Sequence, residues 1–245
     1  MNYRPVVGVS FTGGFGNQLF QYSFARAYAA VHQATLLTPG WVGQRIFALS
    51  DPPLDCALPH TGFDEIPNGR VNVTLNGYFQ SQTAMNLMSR SKLKTWLRLQ
   101  NGWQQRFTTR LPIAAHVRRG DYVGLQNIYC LVSEASYVIA CRKFGLNANN
   151  ITWIQESRRQ QIKELSDIDV PFLEDFLLLM NADVILRANS SFSWWAAALG
   201  NGQVFSPLVE DRTGAQDVEF VEGNWPRMVD SCNCRMHITD LHLKD

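Results

Sequence analysis

The chain has 245 residues, 46% of them hydrophobic and 18% charged, with a formal net charge of +1. That balance belongs to an ordinary globular protein and lacks the basic surplus of a bulk nucleic-acid binder. The length suits one large domain or two small ones, because single cores stop growing near ~250–300 residues.

Five cysteines, at 56, 130, 141, 232 and 234, show no paired CxxC spacing, so neither a disulfide framework nor a zinc site is suggested. They are read as incidental thiols, and the role of Cys232 and Cys234 stays open. Residues 1–10 lack the apolar core and cleavage site of a signal peptide. No apolar stretch approaches the ~18–20 residues that span a bilayer. The expectation is a cytoplasmic protein without a transmembrane segment; peripheral contact with the inner face of a membrane stays open, as does the oligomeric state.

In chain order, Val6–Phe11 reads as a strand, Thr12–Asn17 as a glycine turn, and Gln18–Val31 as a helix. Phe20, Phe24, Ala27, Tyr28 and Val31 recur there at helical spacing. From Leu36 to Pro67 the text is rich in Pro, Gly and Asp, and reads as loops and short strands that hold an acceptor. Asn72–Gln80 alternates as a strand before a turn at Asn76-Gly77, and a helix follows from about Ser81 to Leu99. Leu111–Val117 is the next strand. Ser133–Phe144 reads as an amphipathic helix capped by Ser133, with Glu134 in its first turn. Ile151–Gln155 reads as a strand, Ser157–Leu165 as a basic helix, Phe172–Met180 as an apolar helix and Asp183–Arg187 as a strand. A helix start at Asn189–Trp195 and a strand at Val204–Pro207 close the pattern. Strands alternate with helices, which predicts mostly parallel sheets. A boundary is expected in Asn101–Arg110, dividing the chain into 1–105 and 106–245.

Three places carry chemistry. Gly14-x-Gly16 lies where a strand turns into a helix, so a ligand can approach the backbone and the helix N–H groups can meet an anion; a tight structural turn is the alternative. Arg118 and Arg119 end an apolar strand, and paired guanidiniums match phosphate oxygens fork to fork. A surface ion pair with Asp121 is the alternative there. In Asn189-Ser190-Ser191-Phe192-Ser193 a strand delivers small polar residues into a helix start, suited either to capping or to facing a phosphate. All three are expected at C-terminal strand ends, where α/β sheets place ligands.

Four motifs then carry a resemblance. Residues 13–22, Gly77-Tyr-Phe-Gln-Ser81, His116-Val-Arg-Arg-Gly-Asp-Tyr122 and Asn189–Trp195 resemble, in the same order, the signatures of family 11 glycosyltransferases, the α-1,2-fucosyltransferases. The resemblance implies a GT-B-like α/β fold, two Rossmann-like halves with mostly parallel sheets facing a cleft. The N-terminal half would be the acceptor side and the C-terminal half would hold the nucleotide sugar. It implies inverting, metal-independent transfer of fucose from GDP-fucose, the donor substrate, to a glycan acceptor, with no further cofactor and an α-1,2 bond to a galactoside.

Under that resemblance Arg119 is the first choice for the β-phosphate and Arg118 the second. Asp121 is read as orienting the arginines, with donor hydrogen bonding or a role as base left open. His116 is a candidate base only if it faces the cleft; a hydrogen-bonded histidine at a strand end is the preferred reading. Donor contacts fall to Gly14, Gly16, Asn189, Ser190, Ser191, Phe192 and Ser193, with Glu174 and Asp175 as candidates for guanine or ribose or, equally, as solvated first-turn carboxylates. Acceptor contacts fall to Asn17, Gln18 and Tyr78, with a fucose contact or helix capping as the alternatives for Asn17 and Gln18. Two departures stand out: Ile154-Gln-Glu-Ser157 replaces the family's Phe-Ser-Asp-Asp-like segment, and the stretch before the arginine strand is short. They leave room for another sugar donor, another acceptor, or a non-catalytic binding protein on a transferase scaffold. The glycine turn alone would also suit a nicotinamide-dependent oxidoreductase, but position 19 is leucine and the full GxGxxG is missing.

Overall fold

Val-Val-Gly-Val is short, apolar and β-branched, and in the computed structural model it forms strand β1 (Val6–Val9), whose last three residues are buried. The structure describes residues 4–127, 129–155, 170–209, 214–224, 227–230 and 237–240. It divides into two compact units, one reaching to Gln104 and the other running from Gln105 to Asp240.

In the first unit, β1 leads through the glycine turn into helix α1 (Phe15–Val31), which starts three residues earlier than its apolar spacing predicts. Strand β2 (Thr35–Leu37), the short helix α2 (Gly43–Ile46) and strand β3 (Val73–Leu75) follow. The three strands form a parallel sheet in the order β2-β1-β3. The helix expected over Ser81–Leu99 is two helices, α3 (Gln82–Met85) and α4 (Arg90–Trp96). Ser81 and Ser89 each accept a hydrogen bond from a backbone N–H, so the second serine opens a new helix within what reads as one. Helix α5 (Asn101–Arg106) closes the stretch.

The second unit is built on strand β4 (Ile113–His116), fully buried and interior to its sheet. A 3₁₀ turn (Gly120–Leu125), strand β5 (Cys130–Val132) and helix α6 (Glu134–Lys143) come next. Ser133 caps α6, its Oγ accepting from the Ser136 N–H at 3.2 Å, and Glu134 lies in the first turn as the sequence predicts. Strand β6 (Ile151–Ile154), helix α7 (Leu173–Asn181), strand β7 (Val184–Leu186), helix α8 (Ser191–Leu199) and strand β8 (Gln203–Pro207) complete the alternation. The basic helix expected over Ser157–Leu165, with Glu156 beside it, lies outside the described residues.

Strands β9 (Gly214–Gln216) and β10 (Phe220–Glu222) precede an antiparallel pair, β11 (Arg227–Asp230) and β12 (His237–Asp240). The main sheet runs β10-β8-β7-β4-β6, parallel except for β10. Strand β5 pairs instead with β9, in parallel. On one face of the sheet Ile113, Ala115, Val184, Leu186 and Phe205 pack with Tyr137, Ala140 and Cys141 of α6. Alternation sends Ala114, His116, Ile185, Arg187, Val204 and Ser206 to the other face, where α7 packs on α8 and against β4. No helix among the described residues is long and apolar enough to cross a membrane.

Candidate functional site

The chain of the first unit turns sharply after β1. Gly13 adopts φ of +73°, and a Cβ there would lie 2.6 Å from Asn17 Nδ2, so both backbone and space call for glycine. Gln21, fully buried, clamps the turn from inside: its Nε2 donates to the Thr12 carbonyl and its Oε1 accepts from the Thr12 N–H. Gly14 stands exposed as the N-cap of α1 with no side chain of its own to cap the helix, and Gly16 is buried in the first turn. Gln18 donates to the Gly13 carbonyl at 3.0 Å.

The loop after β3 arrives at the same turn. Gly77 has φ of +151° and would overlap Asp64 if it carried a Cβ, while Asp64 Oδ1 accepts from the Phe79 N–H at 2.7 Å. With the loop held this way, Gln80 Nε2 reaches Asn17 Oδ1 at 2.9 Å. Tyr78 is half-buried, its ring edge-on to Phe63. The geometry thus brings Asn17 together with Gln80, a residue of the second motif that the sequence reading did not single out.

Beside this turn lies a cluster drawn from loop text. Trp41 stacks between Phe11 and Tyr22, with ring centroids 4.7 and 5.1 Å apart. The Tyr22 hydroxyl donates to Asp51 Oδ2 at 2.7 Å, and Arg26 pairs with Asp51 and donates to the Tyr22 hydroxyl. Burial, followed by the Asp51 carboxylate, pushes the Tyr22 phenol well above its ordinary range. This side chain is therefore a permanent donor at neutral pH. Helical spacing marked Tyr22 and Arg26 only as members of α1, and nothing near Trp41 or Asp51 signals their partners.

In the second unit the polar residues collect at the C-terminal ends of β4 and β7. Arg118 and Arg119 are both half-buried. The Arg118 guanidinium carbon lies 5.1 Å from the Tyr122 ring centroid. Arg119 donates from Nη2 to the Val132 carbonyl at 3.1 Å and from Nη1 to the Arg118 carbonyl at 3.1 Å. Two of its donors thus hold backbone, and the fork is fixed to the end of β5. Asp121 belongs to the 3₁₀ turn, but its carboxylate lies outside the described residues. Tyr122 stacks on Tyr129 and donates from its hydroxyl to the Asn189 carbonyl at 3.3 Å, joining the arginine turn to the start of α8.

That helix start is a polar, serine-capped turn. Ser190 is the N-cap, accepting from the Phe192 N–H at 3.3 Å, and no acidic residue lies in the first turn. Ser191, Phe192 and Asn189 are half-buried, whereas Ser193 is fully buried and its Oγ donates to the Ala188 and Ser190 carbonyls. Ser193 therefore braces the turn from within. Trp194 and Trp195 are 1% and 0% exposed and pack edge to face in the core. Glu174 and Asp175 occupy the first turn of α7, half-buried, where carboxylates oppose the helix dipole.

His116 lies in the sheet, 6% exposed, its ring 5.5 Å from Phe192. Nδ1 of the ring has no hydrogen-bond partner among the described residues. The Tyr137 hydroxyl donates instead to the His116 carbonyl at 2.7 Å, and so secures the backbone rather than the imidazole. Burial, then the Arg118 and Arg187 charges, drive the imidazole pKa down to about 3. Such a ring is neutral and very weakly basic throughout the physiological range. No group of three or more His, Cys, Asp or Glu side chains among the described residues is placed to hold a metal ion.

Solved structures share this architecture. The fucosyltransferase NodZ from Bradyrhizobium aligns with a TM-score of 0.52 at 14% identity, covering 91% of this chain and 100% of its own. NodZ α-1,6-fucosyltransferase soaked with GDP-fucose aligns at 0.51 and 14% identity, covering 90% and 100%. A mutant of Arabidopsis thaliana FUT1 in complex with GDP aligns at 0.50 and 13%, covering 97% of this chain and 79% of that one. At these identities the likeness is one of fold, and it is the GT-B-like α/β class, with mostly parallel sheets, that the sequence leads one to expect. Among curated proteins, an α-1,2-colitosyltransferase of Escherichia coli is 36% identical over 107 residues, 36% of each chain. The alignment thus spans about a third of that relative's length. The sequence model of glycosyl transferase family 11 matches residues 60–206, which include the arginine turn and the start of α8. On that match, this chain belongs to glycosyl transferase family 11.

Proposed function

We propose that this protein is an inverting, metal-independent glycosyltransferase that moves fucose, or a closely related deoxy sugar, from its GDP-linked donor to a hydroxyl of a glycan. The observation that supports this most directly is the joined site of the second unit. Two half-buried arginines at the end of β4 and the serine-capped first turn of α8 are linked through the Tyr122–Asn189 hydrogen bond.

In the reaction, the acceptor hydroxyl oxygen bonds to C1 of the donor sugar as the bond from C1 to the phosphate oxygen breaks, and GDP leaves with that electron pair. The acceptor proton passes to a base. The leaving diphosphate gathers negative charge, and preorganised guanidiniums and helix N–H groups oppose charge where it develops. Arg119 is already fixed by its bond to Val132, so little reorganisation accompanies its use. His116 is too weakly basic and too buried to take the acceptor proton, which leaves the Asp121 carboxylate as the stronger candidate. Asn17, Gln18 and Tyr78 in the first unit are assigned to the acceptor, with Gln80 added through its bond to Asn17. Glu174 and Asp175 are assigned to the nucleoside.

The donor sugar is the open choice within this reading. The structures of similar fold carry fucosyltransferase names, while the 36% identical relative is a colitosyltransferase; colitose is the 3-deoxy counterpart of fucose. We assign an α-1,2 bond to a galactoside as the product. Incubation with GDP-fucose or GDP-colitose and β-galactoside-terminated acceptors, with and without a chelator, reads donor choice and metal need as released GDP, and NMR of the product reads the linkage. Absence of both GDP binding and GDP release would sink the reading, and binding without turnover across a broad acceptor panel would turn it into a non-catalytic one.

A further inference from the structure

Arg187 follows strand β7 in a run of apolar residues, Val184-Ile-Leu-Arg-Ala188, where only a strand end is legible in the sequence. It is 0% exposed. Its Nη1 donates to Ser206 Oγ at 2.8 Å, and that hydroxyl donates onward to the Gly223 carbonyl at 2.8 Å. Neither Nε nor Nη2 has a hydrogen-bond partner among the described residues. The β4–β7 and β7–β8 registers, carried one residue past their last pairs, put His116, Arg187 and Ser206 in one row across the sheet. His116 Nδ1, in the same row, is also buried without a partner among the described residues.

Countercharge is missing as well. Ion pairs in this unit include Arg110 with Asp183 and Lys143 with Glu219, and no described carboxylate pairs with Arg187. Burial lowers its pKa only to about 9, so the guanidinium stays charged at neutral pH. A buried charge with unmet donors is costly relative to an apolar side chain of similar size. For packing alone, the face that carries Ala114, Ile185 and Val204 would be better served by leucine or methionine. The one direction in which this charge is useful is along the chain: three residues on, Ser190 caps α8, and across the register Arg118 stands two residues beyond His116.

We propose that Arg187 is a third, interior cation of the donor phosphate site, a positioning residue whose uncompensated charge beneath the start of α8 raises the affinity of that helix turn for a diphosphate without touching it. The proposal rests on the assignment of the donor phosphates to Arg118, Arg119 and the first turn of α8. Charge acts over such a path because the intervening sheet and helix are dry and of low effective dielectric. The unliganded protein carries the cost of the buried cation, and the docked anion offsets it.

The test compares GDP, guanosine and inorganic pyrophosphate as ligands of wild type, Arg187→Met, Arg187→Gln and Arg187→Lys, by calorimetry and by thermal shift. The neutral variants are expected to bind GDP and pyrophosphate about ten-fold more weakly and to bind guanosine as wild type does. Their unliganded melting temperature should be no lower than that of wild type, and Arg187→Lys should recover most of the GDP affinity. A merely structural arginine would not separate GDP from guanosine. GDP affinity within two-fold of wild type in a folded neutral variant overturns the proposal; so does equal weakening of GDP and guanosine. If neither neutral variant folds, Arg187 is a structural cation and the proposal is likewise overturned. Arg119→Ala provides the separation from the underlying assignment: loss of GDP binding there, with Arg187→Met unaffected, removes only the role of Arg187. A wild type that binds neither GDP nor pyrophosphate removes both.

Discussion

The side-chain amide of Gln80 donates to Asn17 Oδ1 at 2.9 Å, tying the loop after β3 to the first turn of α1. Two motifs separated by 63 residues in sequence thereby meet at one point. If this pair presents Asn17 to the acceptor, Gln80→Leu removes one of the bonds that orient it, and the cost to stability is that of one part-buried hydrogen bond, about 1 kcal/mol. The acceptor KM should rise several-fold while GDP affinity stays constant. Steady-state kinetics with acceptor varied at saturating donor reads the first, and calorimetry the second; a matching loss of GDP affinity would move Asn17 off the acceptor.

Arg119 anchors on the Val132 carbonyl, which couples its two duties. Arg119→Ala is expected to lower turnover about 10²–10³-fold, the typical loss of one preorganised donor facing developing charge. It should also cost about 1 kcal/mol of stability for the lost backbone bond. Arg119→Lys keeps the charge but not the fork, so it should restore stability less than charge-dependent GDP binding. Urea titration and single-turnover rates on the same samples separate these effects. A turnover loss no larger than the stability loss explains would remove Arg119 from the leaving-group role.

How far the site was legible follows from how far each signal reaches along the chain. Apolar spacing and capping residues act within a few positions, so β1, α1, the capped start of α6 and the polar start of α8 could all be read. The break between α3 and α4 was not, because Asn86, Leu87 and Met88 carry no glycine or proline and only the Ser89 cap marks it. Strand β5 escaped notice for a different reason. It is three residues long, and its partner β9 lies 84 residues further on, beyond any local pattern. The Tyr22–Asp51 and Trp41–Phe11 contacts are likewise made at long range from loop text. Arg187 reads as the polar end of an apolar strand, and only its burial and unmet donors distinguish it from a solvated one.

His116 gives a pH dependence of known sign. Its folded pKa, about 3, lies below the ordinary 6.5, so the unfolded chain binds a proton that the native chain excludes. Stability from this group is full above pH 6.5 and is lost as pH falls towards 3, the reverse of a histidine that gains an acidic partner. The loss between pH 6.5 and 5.5 should be about 1 kcal/mol. Denaturant midpoints across that range should fall for wild type and change less for His116→Gln. Burial of the ring is the main cause of the shift and does not change with pH while the chain stays folded, so the slope belongs to the imidazole. An unchanged slope in His116→Gln would show that another group carries it.

Trp194 supplies the contrast between fold and function. Its ring is 1% exposed and meets Trp195 at 4.9 Å with an interplanar angle of 81°. The residue lies in the helix that Ser190 caps, buried in the core. Trp194→Ala leaves a cavity that the packed Trp195 cannot fill, and the expected loss is about 3–5 kcal/mol. Trp194→Phe keeps an aromatic surface and should lose less. Because neither change touches Arg118, Arg119 or the N–H groups of α8, the fraction that stays folded should bind GDP with wild-type affinity. The urea midpoint checks the first statement and calorimetry on the folded fraction the second. A variant that stays as stable as wild type but fails to bind GDP would place Trp194 in the site instead of beneath it.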